Sequence, residues 1–147
     1  CFVTGFILQH CSATGPEYTL VEIERSDKRI FRSTTDGKPK TDLHPDLVHA
    51  ESQTLTWEAW LEENLAYLQG KLPGFEDPKY WVVIGRSSGL TDEQLHILRV
   101  KNRRTPQCRF MTYDDVLEML RQQISALEAI APNVKSQGDP DSTGANE

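Results

Sequence analysis

Lys79-Tyr80-Trp81-Val82-Val83-Ile84-Gly85 decides the fold. It is a short, continuous apolar run preceded by the turn residues Asp77-Pro78, and it reads as a strand buried on both of its faces. Helical patterns flank it on either side. Upstream, Pro45-Asp46 opens a helix that runs to about Gln69, with Leu47, Ala50, Trp57, Leu61, Leu65 and Leu68 recurring near the 3.6-residue period and Gly70 as a stop. Downstream, Thr91-Asp92-Glu93-Gln94 has the capping-box pattern and opens a second helix to about Arg103. Arg109-Phe110-Met111 is a brief strand, and Thr112-Tyr113-Asp114-Asp115 starts a third helix that extends to about Ile130.

Further upstream, residues 2–9 are rich in Val, Ile and Phe and stop at the turn cluster from His10 to Pro16, and residues 17–24 then alternate. Two antiparallel strands joined by a loop are expected there. The predicted order is β-β-α-β-α-β-α, an α/β domain with a mixed sheet flanked by helices. From Pro132 to Glu147 the sequence is dominated by Gly, Pro, Ser, Asn, Asp and Thr, so residues 1–131 are expected to form the domain and 132–147 a disordered tail. The chain opens at Cys1, straight into an apolar strand with no secretory signal, and reads as a domain cut from a longer protein.

The 147 residues carry 16 Lys and Arg against 22 Asp and Glu, a formal charge of −6. No apolar run approaches the roughly 18–20 residues that span a bilayer, so no membrane partner is expected. Three cysteines without C-x-x-C spacing suggest neither a disulfide framework nor a zinc ribbon, and a reducing, cytoplasmic setting is the expectation. An acidic total argues at first sight against nucleic acid. The local distribution says otherwise: the run from Arg25 to Lys40 holds six basic residues, Arg25, Lys28, Arg29, Arg32, Lys38 and Lys40, against Asp27 and Asp36.

Alternation along Tyr18–Glu24 puts Glu22 and Glu24 on one face of their strand, roughly 7 Å apart, with Thr19, Val21 and Ile23 on the other. Neighbouring carboxylates repel unless a cation compensates, which makes the pair a ligand set for Mg²⁺ or Mn²⁺. The simpler alternative is the solvent face of an edge strand, paired with Lys28 or Arg25. On the long helix, Gln53, Trp57, Trp60 and Asn64 fall along one stripe; core packing is the expectation for the tryptophans, and Gln53 is placed to face the end of the second strand. His44 and His49 with Cys11 or His10 match no zinc spacing. The basic residues Arg99, Lys101, Arg103 and Arg104 crowd the end of the second helix, where the helix dipole favours them; a solvated face is the expectation and a phosphate contact the alternative. Gly85-Arg86-Ser87-Ser88-Gly89 lies between strand and helix but lacks both nucleotide-loop patterns, so no nucleotide cofactor is expected.

Together, Val21-Glu22-Ile23-Glu24-Arg25, Ile30-Phe31, His49-Ala50 with Gln53 and Trp57, Val82-Val83-Ile84-Gly85-Arg86 and Thr112-Tyr113-Asp114-Asp115-Val116-Leu117 resemble the C-terminal nuclease domain of the Shedu anti-phage defence proteins. That domain belongs to the restriction-endonuclease-like superfamily, and the resemblance covers about residues 2–125. It implies a metal-dependent DNA endonuclease, with Mg²⁺ or Mn²⁺ as cofactor, DNA as partner and a homo-oligomeric state. By resemblance, Glu22 is the metal ligand of an E-x-K pattern, Glu24 stands where Lys is usual, and Gln53 matches the glutamine of the following helix. Gly5 occupies the place of the strand-one Asp. These departures leave two expectations: an active site in which Lys28 reaches back and Glu24 is a second metal ligand, or a degenerate module that binds nucleic acid or a partner protein without cutting. In either case Arg25, Arg29, Arg32, Lys38 and Lys40 are the expected phosphate contacts. Trp57, Trp60, Tyr67 and the apolar third helix are the expected assembly surface.

Overall fold

A computed structural model describes residues 5–33 and 40–130. The readings made for residues 2–4, for Lys38 and for the tail from Pro132 fall outside the described residues. The described chain divides into two units, one through Asp115 and one from Val116 onward.

The first unit contains β1 (Phe6–Ser12), β2 (Gly15–Ile23), α1 (Pro45–Gln69), β3 (Lys79–Val83), α2 (Asp92–Arg104) and β4 (Cys108–Met111), and α3 (Tyr113–Ile130) begins at its end. The strands form a sheet in the order β1-β2-β3-β4. β1 is antiparallel to β2, while β2, β3 and β4 run parallel, so the sheet is mixed as expected. The hairpin is tighter than the sequence suggested. Ser12 pairs with Gly15, which leaves only Ala13 and Thr14 in the turn. The Ser12 hydroxyl donates to the Gly15 carbonyl at 2.9 Å, and Gly15 adopts φ 134°, which a side chain would resist.

Each helix starts where its local chemistry satisfies free N–H groups. At α1, the His44 Nδ1 accepts from the Asp46 N–H at 3.2 Å and Pro45 occupies the first turn, where its missing N–H costs nothing. At α2 the capping box is complete: Thr91 Oγ1 accepts from the Gln94 N–H and Gln94 Oε1 from the Thr91 N–H. At α3, Thr112 and Asp115 exchange the same kind of reciprocal bonds.

α1 and α2 cover one face of the sheet. Leu47 and Ala50 of α1 and Leu98 of α2 pack with Val82, Ile84 and Phe110. One stretch further along α1, Trp57 and Leu61 pack with Tyr18, Leu20, Phe75 and Tyr80. α1 therefore runs antiparallel to β2 and β3. Trp57 is only 4% exposed, so it belongs to the core and leaves the expected assembly surface; Trp60 packs against the same cluster, and Tyr67 is exposed. Val82 and Val83 are both buried, as the apolar run required. β1 is an edge strand, exposed along almost its whole length.

The second unit, described by itself, is the remainder of α3. Leu117, Leu120, Ile124, Leu127 and Ile130 recur at helical spacing and are exposed. No helix among the described residues is long and apolar enough to cross a membrane.

Candidate functional site

β2 is an inner strand, held by β1 on one side and β3 on the other. Its alternation puts Glu22 on the same face as the core residues Tyr18 and Leu20. The edge-strand reading of this pair is thereby overturned: Glu22 is half-buried, and the two cations proposed to neutralise it are engaged elsewhere, Arg25 with Asp27 and Lys28 with Asp46. The backbone at Glu24 is held twice, its N–H donating to the Val83 carbonyl at 2.9 Å and its carbonyl accepting from the Tyr113 hydroxyl at 2.7 Å. Burial, and then the charge of Glu24, push the Glu22 carboxyl up to about 7. Neither influence stabilises its anion.

Gln53 falls in the turn of α1 between Ala50 and Trp57. Glu22 pairs with Val82, which shares a core cluster with Ala50, whereas Leu20 shares one with Trp57, and Thr54 Oγ1 lies 3.9 Å from the Cys108 sulfur, so this turn lies over the stretch of the sheet from Glu22 back to Leu20. The flank of α1 carrying Glu51 faces α2, because Glu51 receives the Lys101 ammonium at 2.7 Å. A helix turns about 100° per residue, so Gln53 lies on the opposite flank, towards β2. Its amide contacts His49 Nε2 at 3.1 Å. The antiparallel ladder from Phe6↔Val21 brings Gly5 alongside Glu22. A Cβ at Gly5 would lie 2.6 Å from the Val21 carbonyl oxygen, so this backbone path excludes an acidic side chain at that place.

Glu22 and Glu24 with the Gln53 carboxamide suit a hard divalent cation, since Mg²⁺ keeps several waters and needs only one or two carboxylates. Among the described residues no three His, Cys, Asp or Glu side chains gather into a metal-binding group, so the carboxylate ligands would be this pair alone.

The basic loop is organised by Asp46, in the first turn of α1. Its carboxylate accepts from Lys28 Nζ at 3.2 Å and from the Arg29 N–H at 3.4 Å. Desolvation alone would raise this carboxyl, but the Lys28 and Arg29 donors and the Lys28 charge hold it below the usual range. The loop returns along Phe31↔Leu43, and Gln94 of α2 donates to the Lys40 carbonyl at 2.8 Å. Arg25 is exposed and paired with Asp27. Lys28, Arg29 and Arg32 instead line a cleft of about 530 Å³ together with Arg86 and Ser88 from the β3–α2 turn. Gly85 makes that turn possible: its φ is 62°, and a Cβ there would meet the Lys28 carbonyl oxygen at 2.6 Å. Asp114 fixes the turn from behind, accepting from Arg86 at 2.9 Å and from the Ser87 N–H at 2.7 Å. Sequence reading missed Asp46, Tyr113 and Asp114, whose roles depend on partners 17 to 89 positions away.

A mixed four-stranded sheet with strands and helices in the order of a restriction-endonuclease-like core, carrying a carboxylate pair at the end of its second strand, defines an α/β domain with an acidic centre. The chain belongs to the family described as Shedu protein SduA, C-terminal, whose model matches residues 6–117. Membership implies a part in anti-phage defence. No curated protein matches the chain.

Proposed function

We propose that this domain is a divalent-metal-dependent DNA endonuclease acting in that defence. The observation that carries the reading is the carboxylate pair at the end of β2, where the half-buried Glu22 carboxyl beside Glu24 is raised to about 7 while Arg25 and Lys28 are engaged by Asp27 and Asp46. Glu22 and Glu24 would hold Mg²⁺ or Mn²⁺, with the Gln53 carboxamide on the α1 flank as a third oxygen. Such an ion lowers the pKa of bound water and stabilises negative charge on a phosphate under attack. The chain's own residues do the rest: Tyr113 and the β3 ladder fix Glu24, and the loop that follows holds the strand being cut through Arg29, Arg32 and Lys40. Lys28, drawn to Asp46, serves the phosphate side rather than the water.

The test is a metal titration by calorimetry together with plasmid cleavage, for this chain and for Glu22→Ala. The variant is expected to lose metal heat and to lose cleavage by about 10³-fold or more, the scale of transition-state stabilisation by fixed charge. Identical behaviour of the two proteins would overturn the assignment.

A second reading has its own support in Gly5, which supplies no carboxylate and has no room for one, and in Glu24 at the place of a lysine. On that reading the domain binds nucleic acid without cutting it. Salt-sensitive DNA binding with no cleavage in Mg²⁺, Mn²⁺ or any other divalent metal would favour it.

A further inference from the structure

We propose that the cleft between residues 26–33 and the β3–α2 turn seats a backbone phosphate of a nucleic-acid strand, with Arg32 and Arg86 as its principal donors. The proposal rests on nucleic acid being the partner, as above, and adds a site that is separate from the carboxylate pair. Among the described residues four cations line the cleft, Lys28, Arg29, Arg32 and Arg86, and no acidic residue does. Two of these cations are held by carboxylates outside the lining, Lys28 by Asp46 and Arg86 by Asp114. Each such pair uses part of its cation's donor capacity and fixes the rest in orientation. A guanidinium has five N–H donors, and the bond from Arg86 Nη2 to Asp114 leaves others free to point into the cleft. Arg32 has no ion pair among the described residues and is exposed.

The α2 N-terminus opens beside the cleft but carries Asp92 and Glu93 in its first turn. Those charges oppose an anion, so recognition falls to the arginine forks and the Ser88 hydroxyl rather than to the helix end. Phe31 and Leu90 supply an apolar floor, suited to the sugar next to a phosphate. The volume would also admit a mononucleotide. The basic run continues outside the cleft into Arg25, which favours a strand passing over it.

The experiment is fluorescence anisotropy of a labelled DNA duplex with this chain in EDTA, across a salt series from about 50 to 200 mM. Arg32→Ala and Arg86→Ala are measured beside Lys71→Ala, an exposed lysine outside the cleft. Each cleft variant is expected to bind about 5- to 10-fold more weakly and to lower the salt slope by about 1, while Lys71→Ala stays at the wild-type value. Wild-type affinity in both cleft variants, or an equal loss in Lys71→Ala, would overturn the proposal. Should Arg86→Ala fail to fold, as judged by circular dichroism, Arg32→Ala and the charge-preserving Arg86→Lys carry the test. Millimolar inorganic phosphate and deoxyadenosine monophosphate are added as competitors. Tight binding of the mononucleotide without duplex binding would overturn the strand assignment. Because binding is read without metal, the two readings fail separately. A chain that cuts nothing, but loses affinity through Arg32 and Arg86, removes the nuclease and keeps the cleft. Intact cleavage with unaltered affinity in both variants does the reverse.

Discussion

The end of β2 and the loop that begins two residues later treat charge in opposite ways. At Glu22 and Glu24, two carboxylates share a half-buried strand end, and both influences on Glu22 disfavour its charged form. Across the loop, Lys28 and Arg86 each have a carboxylate set behind them, and Asp46 and Asp114 are both held below the usual carboxylate range. The backbone and side chain of Ser87 and the charge of Arg86 do this for Asp114. Two carboxylates that are costly to keep charged in a folded chain are the kind of site that, on the proposed function, a divalent cation would complete. A set of cations braced from behind is stable by itself and still faces outward. In the first region burial and like charge act against the anion; in the second each brace holds a cation in place.

The comparison is broken most strongly by adding a third acid to the first region. Gly5→Asp places a Cβ 2.6 Å from the Val21 carbonyl oxygen and a third negative charge alongside Glu22. Overpacking against a backbone that cannot give way costs about 1–3 kcal/mol, and the added repulsion increases it. The variant is expected to lose about 2–3 kcal/mol in urea unfolding and to gain no cleavage. Wild-type stability with raised cleavage would show instead that the strand end lacks only the acid.

Alternation along Tyr18–Glu24 was enough to put Glu22 and Glu24 together, because side chains on a strand reverse at every residue whatever surrounds them. It could not say whether the shared face was solvent or core. That depends on β2 pairing with β3 across the whole of α1, a contact with no local trace. The helices were legible almost to the residue, since Pro45, the Thr91–Gln94 box and the apolar spacings act within a turn or two. The hairpin was read too wide because His10 and Cys11 resemble turn residues in composition, whereas in the sheet they pair with Glu17 and Pro16. The basic run was visible as a run, but the cleft was not: Arg86 joins Arg29 and Arg32 only because Gly85 lets the β3–α2 turn approach the Lys28 carbonyl.

A smaller effect separates the regions by pH. The folded Glu22 carboxyl titrates near 7, above its ordinary value of 4.5, so the fold prefers it protonated. Its contribution to stability is then fully present below about 4.5 and is lost as pH rises through about 7. Allowing for solvent at a half-buried group, the loss is about 1–2 kcal/mol across that window. Glu22→Gln, which stays neutral, is expected to remove this slope in urea melts taken between about pH 4.5 and 8. A slope unchanged by the substitution would assign the titration to another group. Bound Mg²⁺ should displace the proton, so metal affinity is expected to rise over the same window.

The smallest predicted effect bears on whether the regions are separate at all. Lys28 and Asp46 are partly exposed, with side chains 37% and 25% accessible, and such a pair contributes about 1 kcal/mol or less. Lys28→Ala should therefore lower stability by less than about 1 kcal/mol and weaken duplex binding a few-fold, with cleavage at saturating DNA retained. The reason is geometric: the ammonium is committed to the first turn of α1, and the raised Glu22 carboxyl bears no sign of a nearby cation. If Lys28→Ala instead stays folded and binds DNA normally but loses cleavage by about 100-fold or more, the lysine swings from Asp46 to the carboxylates during the reaction. The acidic end and the basic loop would then be one site.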